Sequence, residues 1–287
     1  MAERSIGRTL NKLFRDGNAE RDELFICTKN GYLTHDGELN RDFQSYIQES
    51  LIDTEIISSS DISSQMHCMT PRYLKDQFEK SLTNLGLNAI DLIYLHNPAE
   101  SQIRDIGKEK FLQRLEDAFR LYEDLRSDGK ILYYGLASWN CFLDSQESQT
   151  YLGIEEVVDI AKRVAGLNNH FCFIQLPFNV LMNNAYCSKN QEVENELMTP
   201  LEACRRLQIG VFTSVPLMQG QVLHQDIQGM NKLGTPAQRN IQLIRSTPGV
   251  LSTLIGQKSS MHVKENLETA RSPLMKSEEF SKIKWEN

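Results

Sequence analysis

Asp91-Leu92-Ile93-Tyr94-Leu95-His96-Asn97-Pro98 is the stretch that decides the fold of this 287-residue chain. An apolar run bounded by an acidic residue and by Asn-Pro reads as a buried strand. It delivers a histidine, His96, to its C-terminal end, which is where parallel α/β folds place chemistry. Upstream, Leu24 to Lys29 (L-F-I-C-T-K) is a second apolar strand that ends in a lysine and is followed by the turn signal Asn30-Gly31. Two strands thus present a polar group at the same kind of end. Taken alone, His96 is open to two readings, a hydrogen-bonded histidine at a sheet rim or a reactive group.

Working outward, helix and strand signals alternate along the chain. It opens on a helix with Ile6, Leu10 and Leu13 as its apolar positions. A long polar connection, Asn30 to Met69, follows the first strand and contains a short helix around Phe43 to Leu51; connections of this length are functional or mobile as a rule. Thr70-Pro71 gives an N-cap with proline at the first helical position, and Leu74, Phe78, Leu82 and Leu85 form a stripe ending at Gly86. After the His96 strand comes a helix carrying Phe111, Leu115, Phe119, Tyr122 and Leu125, closed by Gly129. Strands then follow at Ile131–Ser138, Phe171–Leu176, Ile209–Ser214 and Val250–Ile255, separated by helices at Ile154–Ala165, after Thr199-Pro200, and after Thr235-Pro236, with a last helix at Met261–Arg271.

Successive βα units with near-continuous apolar strands imply parallel strands joined by right-handed crossovers. A barrel and a doubly wound sheet both satisfy that pattern. No G-x-G-x-x-G follows the first strand, so the barrel is preferred. Barrels of roughly 250 residues are single domains, and the chain is read as one domain over 1–287 with a loop insertion at 30–69.

With 31 Lys and Arg against 38 Asp and Glu, the net charge is −7, which argues against a nucleic-acid or anionic-membrane surface. No segment approaches the ~18 apolar residues of a membrane span. The six cysteines are scattered, with no CxxC spacing, and read as reduced, mostly buried thiols of an intracellular protein, for which the cytoplasm is the expected location and an organelle the open alternative.

The loops after the last two strands are where a barrel binds phosphate. V-P-L-M-Q-G, Val215 to Gly220, has Pro216, Leu217 and Gly220 to shape a loop whose N–H groups approach a pyrophosphate. The final strand runs into Gly256, Lys258 and Ser259 just before a helix N-terminus, an anion site in waiting. A glycine turn with a solvated lysine is the other reading of that motif.

At this point the residues resemble the aldo-keto reductases, NAD(P)H-dependent carbonyl reductases on a (β/α)8 barrel. The likeness runs from Glu3-Arg4-Ser5-Ile6-Gly7 through Thr28-Lys29, S-L-T-N-L-G-L-N-A-I-D-L-I-Y-L-H, Y-Y-G-L-A-S-W-N, I-Q-L-P-F-N and V-P-L-M-Q-G to H-V-K-E-N-L. The resemblance implies a NADP(H)-dependent reductase of a small-molecule aldehyde or ketone. In it, Lys29 lowers the pKa of an acid and His96 orients the carbonyl oxygen. Gln175 and Asn179 hold or flank the nicotinamide carboxamide, while Gly256, Lys258, Ser259, His262, Glu265 and Asn266 take the adenosine end, Lys258 and Ser259 favouring NADP(H).

Two departures accompany it. Where the family has G-x-S-N, this chain reads Gly135-Leu136-Ala137-Ser138, leaving Ser138 as donor with Asn140 as a compensating neighbour. The family's aspartate and tyrosine lie in D-T-A-x-x-Y-G, and that motif is not in this sequence. The expectation is a barrel lacking its first strand, first helix and second strand, with unpaired edges that invite oligomers. Tyr32 and Tyr94 are the nearest substitutes for the acid, Tyr32 on a loop and Tyr94 one layer deeper in the strand. The rival expectation is a non-catalytic nucleotide-binding regulatory or assembly subunit.

Overall fold

The computed structural model describes residues 2–34, 42–225, 227, 234–283 and 285. Its strands are β1 (Cys27–Asn30), β2 (Ile90–His96), β3 (Ile131–Ala137), β4 (Phe171–Pro177), β5 (Gln191–Val193), β6 (Glu196–Met198), β7 (Gly210–Ser214) and β8 (Val250–Thr253). The helices are α1 (Ala2–Arg15), α2 (Phe43–Ile47), α3 (Pro71–Leu85), α4 (Pro98–Ile106), α5 (Lys108–Ser127), α6 (Ile154–Ala165), α7 (Asn184–Cys187), α8 (Pro200–Arg206), α9 (Pro236–Ser246), α10 (Ser260–Glu268) and α11 (Ser277–Phe280). Two compact units make up the chain: Met1–Ala137 with Val157–Cys172, and Ser138–Glu156 with Phe173–Asn287.

In the first unit β1, β2 and β3 pair in parallel, with Cys27 opposite Leu92, Lys29 opposite Tyr94 and His96 opposite Ala137. Ile90, Leu92, Ile93, Tyr94 and Leu95 are all buried, so β2 is covered on both faces, as its unbroken apolar run requires. Helix α5 packs on the neighbouring β3: Phe111, Leu115, Phe119, Tyr122 and Leu125 are buried as a stripe, and the Phe119 ring lies 5.0 Å from that of Tyr134. Phe119 stacks on Phe171 with ring centroids 5.2 Å apart. Each such ring contributes about 1.5–3 kcal/mol by leaving water. A buried asparagine fixes the end of β1: Asn30 donates to the Leu74 carbonyl at 3.2 Å and accepts from the Tyr122 hydroxyl at 2.7 Å. The residue that follows Lys29 is therefore anchored to both α3 and α5.

Three expectations shift here. The first strand begins at Cys27 and not at Leu24: the Asp91 carboxylate takes the Ile26 N–H at 2.6 Å and pairs with Arg21 at 2.8 Å, while the Ile26 carbonyl accepts from the Asp91 and Leu92 N–H groups at the start of β2. In α1 the apolar stripe misplaces Ile6, which is 47% exposed; the helix docks through Gly7 and Leu10 instead. Helix α3 starts at Pro71 as the spacing predicts, yet Thr70 makes no side-chain cap, its hydroxyl lying 3.3 Å from the Cys68 thiol.

In the second unit β4, β7 and β8 pair in parallel, Gln175 lying opposite Phe212 and Thr213 opposite Thr253. Capping boxes start α8 (Thr199 with Glu202) and α9 (Thr235 with Gln238). The antiparallel hairpin β5–β6 and the helix α4 have no counterpart in the sequence reading. Cysteine burial also departs from expectation. Cys68, Cys141 and Cys204 are buried, Cys172 is half-buried, and Cys27 and Cys187 are exposed, all six being free thiols. Among the described residues no helix is long and apolar enough to cross a membrane.

Candidate active site

Lys29 and His96 reach one cavity from neighbouring strand ends. The register that sets Lys29 opposite Tyr94 leaves His96 two residues further along, at the last position of β2. The cavity, about 650 Å³, is lined by Lys29, Tyr32, Thr34, Tyr46, Lys80 and His96 among others. Burial lowers the pKa of Lys29, an effect opposed by Cys27. Burial also depresses His96, to about 4, and the Lys29 charge adds to this. At neutral pH the imidazole is consequently uncharged, and it can donate one hydrogen bond to a carbonyl oxygen without giving up a proton.

Of the two substitute tyrosines, Tyr32 is at the site. Its ring lies edge-on to His96, and its hydroxyl accepts from Ser101 Oγ at 2.9 Å and Asn97 Nδ2 at 3.3 Å. Tyr94 is packed in the core, where burial pushes its phenol well above the ordinary value. The sequence reading missed His67 altogether. It is fully buried, its Nε2 is 2.9 Å from the His96 carbonyl, and no motif or period marks it.

The second unit holds the other candidates. Gln175 on β4 is buried, and its Oε1 has no partner among the described residues. A buried carbonyl left unpaired costs about 1–3 kcal/mol, and a carboxamide N–H is the chemistry that would satisfy it. Its backbone carbonyl accepts from Ser138 N at 2.9 Å, while Ser138 Oγ accepts from Cys141 N at 3.1 Å and so caps its own turn. Asn140 is exposed on that turn, its carbonyl accepting from Leu143 and Asp144. The Asn179 side chain is occupied in holding loops: Nδ2 donates to the Val215 carbonyl at 3.0 Å, and Oδ1 accepts from Leu181 and Met182, each at 2.9 Å.

The turn after β7 is strained. Val215 (φ 50°), Met218 (43°), Gln219 (53°) and Gly220 (95°) all adopt left-handed backbone. For a β-branched valine that is an outlier, and such residues cost of order 1–3 kcal/mol each and gather at ligand sites. Beside this turn lies a second cavity of about 430 Å³, which brings together Pro216, Leu217, Gly256, His262, Glu265 and Asn266. Gly220, Lys258 and Ser259 are not on its wall. Lys258 is exposed, and Ser259 stands at the head of α10 with no side-chain cap of its own. Glu265 Oε1 accepts from Thr235 Oγ1 at 2.5 Å and its carbonyl accepts from Gln238 at 2.9 Å, tying α10 to the start of α9. The mostly apolar wall with a few polar side chains fits an organic ligand better than a metal, and no cluster of metal-ligating side chains exists among the described residues.

Alternating parallel strands and helices, with polar groups at the strand ends, define an α/β fold of the kind that places chemistry at its strand ends. Residues 1–244 match the Aldo/keto reductase family, and the chain belongs to it. Its structure is similar to that of the aldo-keto reductase AKR11C1 from Bacillus halodurans in its holo form, at 15% identity and a TM-score of 0.59, covering 97% of this chain and 76% of that one. It is similar in the same degree to the thermostable aldo-keto reductase Tm1743 in complex with the inhibitor epalrestat, at 15% identity and a TM-score of 0.59, covering 97% of this chain and 75% of that one. At that identity the likeness is one of fold. No curated protein sequence matches this chain.

Proposed function

We propose that this protein is a NADP(H)-dependent reductase of small aldehydes or ketones. The observation that carries the reading is the meeting of Lys29 and His96 in one cavity at the ends of β1 and β2. In this reading His96, uncharged, donates a hydrogen bond to the carbonyl oxygen, stabilising the negative charge that develops there. Lys29 supplies the cation beside the proton donor, since an unassisted phenol near pKa 10 is a poor acid at neutral pH, and Tyr32 is the substitute tyrosine that lines this cavity. The bound nicotinamide supplies the hydride. Gln175 takes the carboxamide, with Ser138, Asn140 and Asn179 flanking it. Pro216, Leu217 and Gly220 shape the turn over the pyrophosphate, and Gly256, Lys258, Ser259, His262, Glu265 and Asn266 receive the adenosine end.

A second reading has its own support. The motif D-T-A-x-x-Y-G is not in this sequence, whereas Pro216, Leu217, Gly256, His262, Glu265 and Asn266 of the second unit line one cavity. A chain of that kind binds nucleotide and serves as a regulatory or assembly subunit. Titrating the protein with NADPH and NADH, and assaying reduction of a panel of aldehydes, separates the two. Tight NADPH binding with turnover abolished by Lys29→Met supports the reductase; tight binding with no turnover supports the subunit. Failure to bind either nucleotide overturns both.

A further inference from the structure

We propose that His67 is the positioning residue of this site, holding His96 in place through its main-chain carbonyl. The inference rests on the reductase reading for its catalytic consequence, and on geometry for the rest. The β1–β2 ladder ends at Asn30 opposite Leu95, so the carbonyl of His96 lies one step beyond the last strand pair. His67 Nε2 fills that step at 2.9 Å. The ring can stand there because residue 31 is glycine: a Cβ on Gly31 would lie 2.4 Å from His67 Nε2. Tyr32 bridges to His67 in the backbone and lies edge-on to both imidazoles, at 5.1 Å from each.

The direction of every hydrogen bond follows from one fixed point. Arg114 can only donate, and its Nη1 lies 3.0 Å from Gln102 Oε1. That orients the Gln102 amide, whose Nε2 donates to His67 Nδ1 at 3.0 Å and to the His67 carbonyl at 3.0 Å. Nδ1 being an acceptor, Nε2 carries the proton and donates to His96. Asp61 stands beyond Arg114 at 3.7 Å. Burial holds His67 at about 3, so the ring is uncharged at neutral pH and its hydrogen bonds choose the tautomer. A chain of donors thus runs from a half-buried guanidinium to the end of β2, and such chains reinforce one another. It also explains what the long connection from Asn30 to Met69 contributes: its far end returns to brace the strand that carries His96.

Three variants test this: His67→Leu, which removes the donor; His67→Gln, whose amide places a donor near the Nε2 position; and Gln102→Met, which leaves the histidine but frees its tautomer. NMR titration of the His96 ring in the cofactor-free protein and steady-state kinetics with NADPH are the readouts. In His67→Leu the His96 midpoint should rise from about 4 by at least one pH unit toward 6.5, and kcat should fall at least tenfold with the NADPH KM within twofold. His67→Gln should recover most of both. A folded His67→Leu with an unchanged His96 midpoint, or a His67→Gln no better than His67→Leu, overturns the proposal. Should His67→Leu not fold, Gln102→Met decides, a midpoint unchanged from the wild type again overturning it. If no variant nor the parent turns over a carbonyl, the reductase reading falls while the titration still decides the positioning.

Discussion

The Tyr32 ring stands edge-on to the His96 imidazole, with centroids 5.1 Å apart and planes at 84°. Edge-to-face packing of this kind sets a wall beside the imidazole, and the hydroxyl at the far end of the ring is held by Ser101 and Asn97. The two halves of the side chain should therefore separate by mutation. Tyr32→Phe keeps the wall and loses the hydrogen bonds, which should lower stability by about 1–2 kcal/mol in urea denaturation. Tyr32→Ala loses both, and should cost about 3 kcal/mol or more. Equal losses in the two variants would mean that the ring contact contributes nothing.

Two buried histidines give the fold a pH dependence of definite sign. His96 titrates at about 4, from burial and then Lys29; His67 titrates at about 3, from burial, against the hydrogen bond to His96. The unfolded chain takes up these protons near 6.5, so the folded state binds fewer. Stability is accordingly full above about pH 6.5 and falls as the pH drops toward 4. Urea midpoints at pH 7.5, 5.5 and 4.5 should decline in the parent and decline less steeply in His96→Gln. Identical slopes would show that His96 is as exposed to water as in the unfolded chain.

Much of the fold was legible where one physical signal sufficed. Helix α3 runs between Pro71 and the glycine after Leu85, α6 occupies Ile154–Ala165, and β2 fills the apolar run, because proline, glycine and buried periodicity act locally. The misses are of another kind. Helix α4 is too polar to show a stripe beyond Ile103, and the three-residue strands β5 and β6 meet at Glu194 and Asn195, whose left-handed turn carries no glycine. Ile6 was misplaced because a stripe of large residues outranks a glycine on the page, whereas close packing favours the glycine.

Close packing yields the third prediction. A Cβ on Gly7 of α1 would lie 2.4 Å from the Asn84 carbonyl and 2.8 Å from the Leu85 carbonyl, both backbone at the end of α3. In an exposed helix, Gly→Ala stabilises by about 1 kcal/mol. Here Gly7→Ala should reverse that sign and destabilise by about 1–3 kcal/mol, because neither carbonyl can move without its helix. It should also loosen the polar contacts beside it, where Glu3 accepts from Asn84 at 3.1 Å and from Thr28 at 2.5 Å. Differential scanning fluorimetry of Gly7→Ala against an exposed control, Lys12→Ala, reads the sign directly.

The sequence marks Lys29 and His96, which share one cavity, because strand ends are where chemistry sits; it marks Pro216, Leu217 and Gly256 because the loops after a barrel's last strands bind phosphate, and His262, Glu265 and Asn266 because the resemblance names their segment. His67 was not legible. Its partner is 29 residues away through a carbonyl that no side-chain pattern announces. Asn179 shows the converse: a residue type suited to a ligand, whose amide is occupied by the Val215 carbonyl and by two N–H groups of its own loop.

Gln175 offers the sharpest separation of fold from function. Its side chain is buried on β4 with Oε1 unpaired among the described residues, so the protein without nucleotide carries a polar burden there of about 1–3 kcal/mol. Replacing it by leucine, of similar volume and without polar atoms, should leave the protein as stable as the parent or up to about 1 kcal/mol more stable. Nucleotide binding should move the other way. Loss of the carboxamide contact should weaken NADPH and NADH alike by about tenfold, since both carry the same nicotinamide and a hydrogen bond of this kind is worth about 1–1.5 kcal/mol. Lys258→Ala should instead weaken NADPH by at least tenfold and NADH much less, because a charge-assisted contact to the additional phosphate is worth about 1.5–3 kcal/mol. Fluorescence titration of both variants with both nucleotides checks the pattern. If Gln175→Leu binds as the parent does while losing stability, Gln175 is a packing residue and the carboxamide must be held elsewhere; equal losses for the two nucleotides in Lys258→Ala would remove the assignment of Lys258 to the phosphate.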